Sequence, residues 1–372
     1  MEACWLAIPG FVIWLVILML PWRPWSTRES LDGQPSLSMP LDDVTVLIPA
    51  RNEAAVIART LHSVALQGHG QRIILIDDQS TDDTIVEARN TGLNNLDVLR
   101  GAPMPDDWTG KLWALEQGRR RVESDYILLL DADIELLPGT LPALLNKLVT
   151  ERYGMVSLMA FLRMESFWEK LLMPAFIYFF KLLYPFHLSN TGSKYVAAAA
   201  GGCILIESRI LNDIGGFESL KEALIDDCML ARRVRDHGAG TWIGLTRSAK
   251  SHRRYDNFAV IRDMVARTAY TQLHYSVLLL TVCTLLMIAA FLLPIVAFFS
   301  LNPVSMPLAL ATFLIMGVTY VPTLKYYGLN PAWAAALPVT GLLYLLMTWN
   351  SAFRHWRGIS AVWKNRTYRR QA

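Results

Sequence analysis

The chain has 372 residues, a formal net charge of +3 and a mean hydropathy of +0.29. With 53% hydrophobic and 18% charged residues, it is too apolar for an ordinary soluble protein and too charged to lie wholly within a membrane. The small net charge gives no argument for nucleic acid. The four scattered cysteines (Cys4, Cys203, Cys228, Cys283) form neither a C-x-x-C pair nor a Cys/His cluster, which fits a reducing compartment.

Trp5 to Leu20 is apolar and uncharged. Only Glu2 precedes it, and neither a basic n-region nor a small-residue cleavage site is evident, so residues 1–25 are expected to form an uncleaved transmembrane anchor. Arg23 and Arg28 follow it, and by the positive-inside rule they place the next part of the chain in the cytoplasm. Residues 26–43, rich in Ser, Pro, Asp and Gly, read as a linker.

A globular domain is expected over 44–272. V-T-V-L-I (44–48) is a strand, followed by P-A-R-N-E with Asn52 as a candidate N-cap for a helix to about Leu66. I-I-L-I-D (73–77) is a second strand. Ser80 or Thr81 then caps a helix whose first turn holds Asp82 and Asp83, where the helix dipole favours them. A short strand near Leu96–Leu99 and a helix over about Lys111–Val122 lead to the apolar strand Tyr126–Leu130. This alternation predicts a parallel sheet with helices on its faces.

Three of these strands end in polar groups: Pro49 to Glu53, Asp77-Asp78, and Asp131-Ala132-Asp133. Ligands of open α/β sheets bind beyond the carboxyl ends of the strands. Two carboxylates spaced i, i+2 at such an end can present oxygens to a hard divalent cation that also holds substrate phosphates. A strand-end turn capped by Asp would use the same residues.

Beyond Pro138 a helix (Leu141–Val149) and a strand (Met155–Ala160) are expected. The aromatic stretch 167–186 carries Glu169, Lys170, Lys181 and two prolines, which a spanning helix rarely keeps, so an interfacial element is expected there, with a buried core helix as the alternative. Tyr195–Ile206 reads as a strand whose Gly201 and Gly202 suit either close approach of a ligand or a bulge. Leu224–Val234 is an amphipathic helix with Asp226 and Asp227 in its first turn; dipole-favoured surface acids would look the same. A short strand (Thr241–Leu245) precedes a basic run over 247–267 that suits anionic headgroups.

Residues 273–350 hold about three apolar segments, Val277–Leu301, Pro307–Pro322 and Trp333–Trp349, and residues 351–372 form a basic tail with Trp and Tyr anchors. With the globular domain inside, three crossings would put this basic tail outside. Either one segment is re-entrant, or the first is two half-spans broken at Pro294.

Five ordered stretches, V-L-I-P-A-R-N-E (46–53), I-D-D-Q-S-T-D-D-T (76–84), G-K-L-W-A-L-E-Q-G (110–118), D-A-D (131–133) and I-D-D-C-M-L-A-R-R (225–233), resemble the inverting family 2 glycosyltransferases. The layout is similar to the ceramide-glucosyltransferase-like membrane branch. The I-D-D motif, the R-T-A-Y-T-Q-L segment (267–273) and the length look most like the hopanoid-biosynthesis-associated glycosyltransferases of bacteria.

That resemblance implies an α/β GT-A fold, Rossmann-like and nucleotide-sugar-binding, joined to transmembrane helices. It implies that Pro49, Arg51 and Glu53 line the base and ribose pocket, that Asp78 with Asp77 beside it binds uracil or ribose, and that Lys111 approaches the donor phosphates. Asp133 would hold Mg²⁺ or Mn²⁺, with Asp131 near the ribose or the metal. Asp227 would be the general base, supported by Asp226, which stands where the family has Glu. On the acceptor side are Gly201, Gly202, Arg267 and Tyr270. The family's Q/R-x-x-R-W motif is incomplete here: Arg267 matches, the Arg-Trp pair is missing, and Tyr270 could stack on an acceptor.

The expected function is transfer of a single sugar from a nucleotide-sugar, of the UDP type, to a lipid acceptor at the bacterial inner membrane. The competing readings are a processive polysaccharide synthase and a nucleotide-binding membrane scaffold. The missing Arg-Trp pair disfavours the first, and the scarcity of intramembrane ionisable residues disfavours a transporter-like scaffold.

Overall fold

The computed structural model describes residues 4–221, 225–300, 302–359, 362–363 and 366–367. Two compact units emerge. One comprises Glu29–Arg163 and Leu188–Arg254 and holds the sheet. The other gathers the residues up to Arg28, Met164–His187 and the helices from Tyr255 on.

In chain order the elements are α1 (Cys4–Met19), β1 (Val44–Ala50), α2 (Ile57–Ala65), β2 (Arg72–Asp77), α3 (Thr84–Asn90), β3 (Leu96–Arg100), α4 (Gly110–Arg119), β4 (Tyr126–Leu130), β5 (Ile134–Leu136), α5 (Thr140–Thr150) and β6 (Tyr153–Phe161). They continue with α6 (Phe167–Leu183), α7 (Phe186–Asn190), β7 (Cys203–Glu207), α8 (Ser208–Asp213), α9 (Asp226–Asp236), β8 (Gly240–Ser251) and α10 (Phe258–Gln272). Three apolar helices follow, Val277–Phe299, Ser305–Tyr326 and Pro331–Trp356, each long and apolar enough to cross a membrane.

The sheet runs β3-β2-β1-β4-β7-β6-β8-β5. β1 to β4 are mutually parallel, as the alternating pattern predicts. All seven residues of β1 are buried, because a parallel strand at the centre of an α/β unit is covered on both faces. Period-two alternation sends Val46, Ile48, Leu128 and Leu130 to the core under α2 and α5, and Leu47, Ile127 and Leu129 to the core under α4.

The sheet is mixed rather than wholly parallel: β7 is antiparallel to both β4 and β6. β7 begins only at Cys203, so the expected strand over 195–202 is irregular chain up to the glycine pair. β8 extends to Ser251, past the expected end at Leu245. Its register against β6 shifts between Met159 and Phe161, and its last residues, Ala249 to Ser251, pair with β5 on the other edge. β5 follows β4 after only three residues.

Two caps also differ. Asn52 is not an N-cap: it sits at φ 53°, and α2 starts at Ile57. Helix α3 starts at Thr84, not after Ser80 or Thr81, because Asp82 accepts the Thr84 amide at 3.1 Å.

In the helical unit, α1 spans 16 residues, about 24 Å at 1.5 Å per residue, against the roughly 30 Å of a bilayer core. Helix α6 belongs to this unit, as does α10, although sequence reading put both inside the 44–272 domain. Two of the three charges that pointed to an interfacial α6 are internal. Glu169, fully buried, closes a capping box on Ser166 and accepts the Tyr255 amide at 2.9 Å. Lys181, 1% exposed, donates to the Ser26 carbonyl. Tyr178 of α6 donates to Thr319 at 2.9 Å, and Tyr344 donates to the Leu172 carbonyl at 2.9 Å.

The helix Val277–Phe299 runs unbroken through Pro294, with a π turn over Ile288–Leu292 just before it. The two half-spans are therefore not formed. Ser305–Tyr326 runs opposite to it, with Ala309 packed at Ala7 and Ala297, and Tyr320 near Tyr178. The last helix also runs opposite to it: Trp349 donates to Thr284 at 3.0 Å, and His355 lies 4.3 Å from the Tyr275 ring. Two successive helices with the same sense require the chain between them to double back.

Candidate functional site

One pocket in the sheet unit is lined by Pro49, Lys111, Asp131, Gly201, Asp226 and Asp227, with leucines and Phe217 behind them. Each polar residue arrives at the end of an element. Pro49 comes from β1, Asp131 directly follows β4, and Lys111 opens α4. Gly201 precedes β7, and the two acids open α9.

The Lys111 ammonium lies 2.6 Å from Asp131 Oδ1, with these side chains 23% and 33% exposed, and donates to the Gly201 carbonyl at 3.3 Å. On the other side of the same residue, the Gly201 amide donates to Asp227 Oδ2 at 2.9 Å. The Cys228 amide donates to Asp227 Oδ1 at 2.7 Å, and the Asp227 amide donates to Asp226 at 3.1 Å. A Cβ at Gly201 would lie 3.4 Å from the ammonium and 3.5 Å from the Asp227 carboxylate, in the gap between them.

Burial would draw the Lys111 ammonium down, yet the surrounding carboxylates, Asp131 foremost, hold its pKa above the ordinary value. Asp131 is raised, chiefly by burial, and Asp133 adds to this while Lys111 opposes it. Asp227 is raised to about 6: burial and the Asp226 charge outweigh the two backbone N–H donors and Lys111.

Asp133 is fixed from the far end of β8. Ser251 donates its hydroxyl to Asp133 Oδ2 at 2.6 Å, and the His252 amide donates to the Asp133 carbonyl at 2.9 Å. The His252 ring lies between Glu135, 2.5 Å from Nε2, and the Arg59 guanidinium, 3.0 Å from Nδ1. An arginine can only donate, so Nδ1 accepts and Nε2 carries the proton. Sequence reading missed Ser251 and His252. They sit in the run assigned to membrane headgroups, and it is the pairing of the end of β8 with β5 that brings them to Asp133.

The residues expected to hold the base and ribose form a second cluster. Arg51 donates to the carbonyls of Asp78 at 2.5 Å and Gln79 at 3.1 Å. The Asn52 amide donates to Ser80 at 3.0 Å, the Thr81 amide to Asn52 at 2.8 Å, and the Glu53 amide to Thr84 at 2.8 Å. Asp77 and Asp78 are buried, and Asp77 accepts the Ser80 amide. Asn52 (φ 53°) and Gln79 (φ 57°) both hold the left-handed conformation, strain of the kind stored at functional loops.

Gly202 is set apart from Asp227. Its carbonyl accepts the Asp131 amide at 3.0 Å, and its hydrogen faces Ile134. Arg267 and Tyr270 fall in the helical unit. Tyr270 is 1% exposed, donates to the Tyr275 carbonyl at 2.8 Å and is enclosed by Tyr275, His355 and Trp356. Buried in this way, it has no open face for an acceptor, contrary to the sequence expectation.

Among the described residues, no three His, Cys, Asp or Glu side chains gather as a ready-made metal site. Two carboxylates at a strand end, one already paired with an ammonium, do fit a hard cation that takes its other ligands from phosphate and water.

Acids thus gather at the carboxyl edge of a parallel α/β core, where open α/β sheets take their ligands, and one of them is a half-buried carboxylate of raised pKa. Residues 45–215 match the glycosyl transferase family 2 family model, which spans a little under half of the chain. It is 33% identical over 128 residues to a 4,4'-diaponeurosporenoate glycosyltransferase of Staphylococcus aureus (strain MRSA252), covering 34% of this chain and 34% of that relative. The same enzyme from strain bovine RF122 / ET3-1 is 37% identical over 94 residues, covering 25% of this chain and 24% of the relative. The chain thus matches well under half the length of these curated relatives. A mannosyltransferase from Pyrobaculum calidifontis, solved in complex with GDP-Man and Mn²⁺, superposes with a TM-score of 0.51 at 18% identity, over 91% of this chain and 99% of that one. That likeness establishes the GT-A fold.

Proposed function

We propose that this protein transfers one sugar, with inversion, from a nucleotide-sugar of the UDP type to a hydroxyl of a lipid acceptor at the bacterial inner membrane, with the sheet unit in the cytoplasm. The observation that carries this reading is Asp227: a carboxylate fixed by two backbone amides, raised to about 6, facing an ammonium across a single glycine. A base with a pKa just below neutrality is ionised at working pH and still basic enough to take a proton.

The acceptor hydroxyl gives its proton to Asp227 Oδ2 or Oδ1 as its oxygen bonds to the anomeric carbon, and the bond to the diphosphate breaks on the opposite face. Lys111 meets the departing phosphates. Arg51 keeps the loops after β1 and β2 stitched, so that Pro49, Glu53, Asp77 and Asp78 form a firm wall for the base and ribose. Asp133, held by Ser251, and Asp131 are the residues that would hold Mg²⁺ or Mn²⁺, whose charge would stabilise the departing nucleoside diphosphate.

The lipid acceptor is supported by the apolar helices and by relatives named for a carotenoid acid, itself an isoprenoid. A hopanoid is an isoprenoid lipid of the same general class. The test is a donor screen. The full chain in detergent with Mn²⁺ is offered a panel of UDP- and GDP-sugars, and nucleoside diphosphate release is followed with and without bacterial lipid extract. Release from one donor, stimulated by lipid and accompanied by a glycosylated lipid in the mass spectrum, is expected. Release that ignores lipid would reject the lipid acceptor, and absence of release with every donor would reject the transfer reaction.

A further inference from the structure

We propose that Lys111 is a resident counter-ion that keeps a free divalent cation off Asp131 and makes cation uptake conditional on the arriving diphosphate. This inference rests on the transferase reading above.

Three carboxylates, Asp131, Asp226 and Asp227, converge around the Lys111 side chain, and a fourth, Asp133, stands beside Asp131. Asp131 touches the Lys111 ammonium at 2.6 Å, and Asp226 and Asp227 both act on it through space. Asp133 acts on Asp131. A cation binding Asp131 would have to share an oxygen with an ammonium already in contact with it, and two positive charges in such a site repel strongly. Lys111 therefore has to leave Asp131 for the cation to enter.

The ammonium needs another anion to move to, because a half-buried charge left unpaired is costly. Its second contact, the Gly201 carbonyl at 3.3 Å, is neutral. A nucleoside diphosphate supplies that anion and at the same time brings phosphate oxygens to complete the cation's shell. Cation and nucleotide then bind as one unit, and Asp227 is spared a stray cation when no donor is present.

The consequence is a reciprocal coupling between the two ligands, of the size usual for linked sites. The test titrates Mn²⁺ alone into the full chain in detergent and follows loss of the free aquated Mn²⁺ electron paramagnetic resonance signal, with and without UDP or GDP. The wild-type chain should bind Mn²⁺ weakly alone and about tenfold or more tightly with one of the nucleotides. Lys111→Met should tighten nucleotide-free Mn²⁺ binding by about tenfold and lose most of the nucleotide effect. Lys111→Arg, which keeps the charge, should stay weak. Adding Asp131→Asn to Lys111→Met should cancel the gain.

The proposal is overturned if Lys111→Met binds Mn²⁺ alone no more tightly than wild type, or if wild type binds Mn²⁺ equally well with and without a nucleotide that it demonstrably binds. Should the Met variant not fold, the wild-type comparison decides alone. If neither nucleotide binds while Lys111→Met still gains Mn²⁺ affinity, the donor reading fails and the counter-ion role stands.

Discussion

Asp227 receives two backbone N–H bonds, and a carboxylate with such donors usually becomes more acidic. Here burial and the neighbouring Asp226 charge win, and the group is raised to about 6. Only the ionised form can take a proton, so kcat/KM should fall as pH drops through about 6. Asp226→Asn removes one of the raising causes and should move that limb to lower pH; a limb that stays put would belong to another group. Asp227→Asn should reduce transfer by about 10²–10⁴-fold while calorimetry shows nucleotide binding retained. Loss of both together would assign Asp227 to the donor pocket instead. The acids stood out in the sequence by their place at predicted strand and helix ends, but a capping turn or dipole-favoured surface acids would look the same there, and only the resemblance gave them roles. Gly201 was legible only as a place of close approach. That its amide serves the base and its carbonyl serves Lys111 depends on residues 26 and 90 positions away, which no local pattern records.

At the scale of elements, strands with an apolar run and a polar exit were read to within a few residues, because periodicity and burial agree there. The failures share another cause. Asn52 reads as a cap, but its side chain is recruited by Thr81 on the next loop. Glu169 and Lys181 read as solvent-facing charges, but each finds a buried partner in another segment of the helical unit. Pro294 reads as a break for the same reason. It has no amide to give the carbonyl of Ala290 four residues earlier, and the indole of Trp14 donates to that carbonyl at 3.0 Å instead. Gly10 makes the approach possible, since a Cβ there would stand 2.6 Å from the Ala289 carbonyl. Trp14→Phe keeps an aromatic ring against Tyr178 and Phe291 but strands the Ala290 carbonyl, which should cost about 1–3 kcal/mol. The measurement is the denaturation midpoint in detergent, and an unchanged midpoint would mean that the carbonyl is satisfied without the indole.

For the whole molecule, the sequence posed a conflict of charge and parity: a basic tail that three crossings would carry away from the basic side. The directions of the helices within the helical unit bear on it. Along the last helix, Gly341 lies against Phe291, Trp349 reaches Thr284, and His355 meets Tyr275, so its residue numbers rise as those of Val277–Phe299 fall. Its end also packs along α10. Ser351 accepts the Tyr270 amide at 3.0 Å and donates to the Ala266 carbonyl at 2.7 Å, and Arg354 reaches Asp263 at 2.5 Å. Arg357, which follows this helix, therefore lies at the same end of the unit as Tyr270 and Tyr275. Cysteines introduced at Val260 on α10 and at Arg357, both exposed, should label with a membrane-impermeant maleimide from the same side of sealed vesicles once Cys4, Cys203, Cys228 and Cys283 have been replaced. Labelling from opposite sides would contradict the contacts that place the end of the last helix beside Tyr270 and Tyr275, and would return the tail to the face that three simple crossings demand.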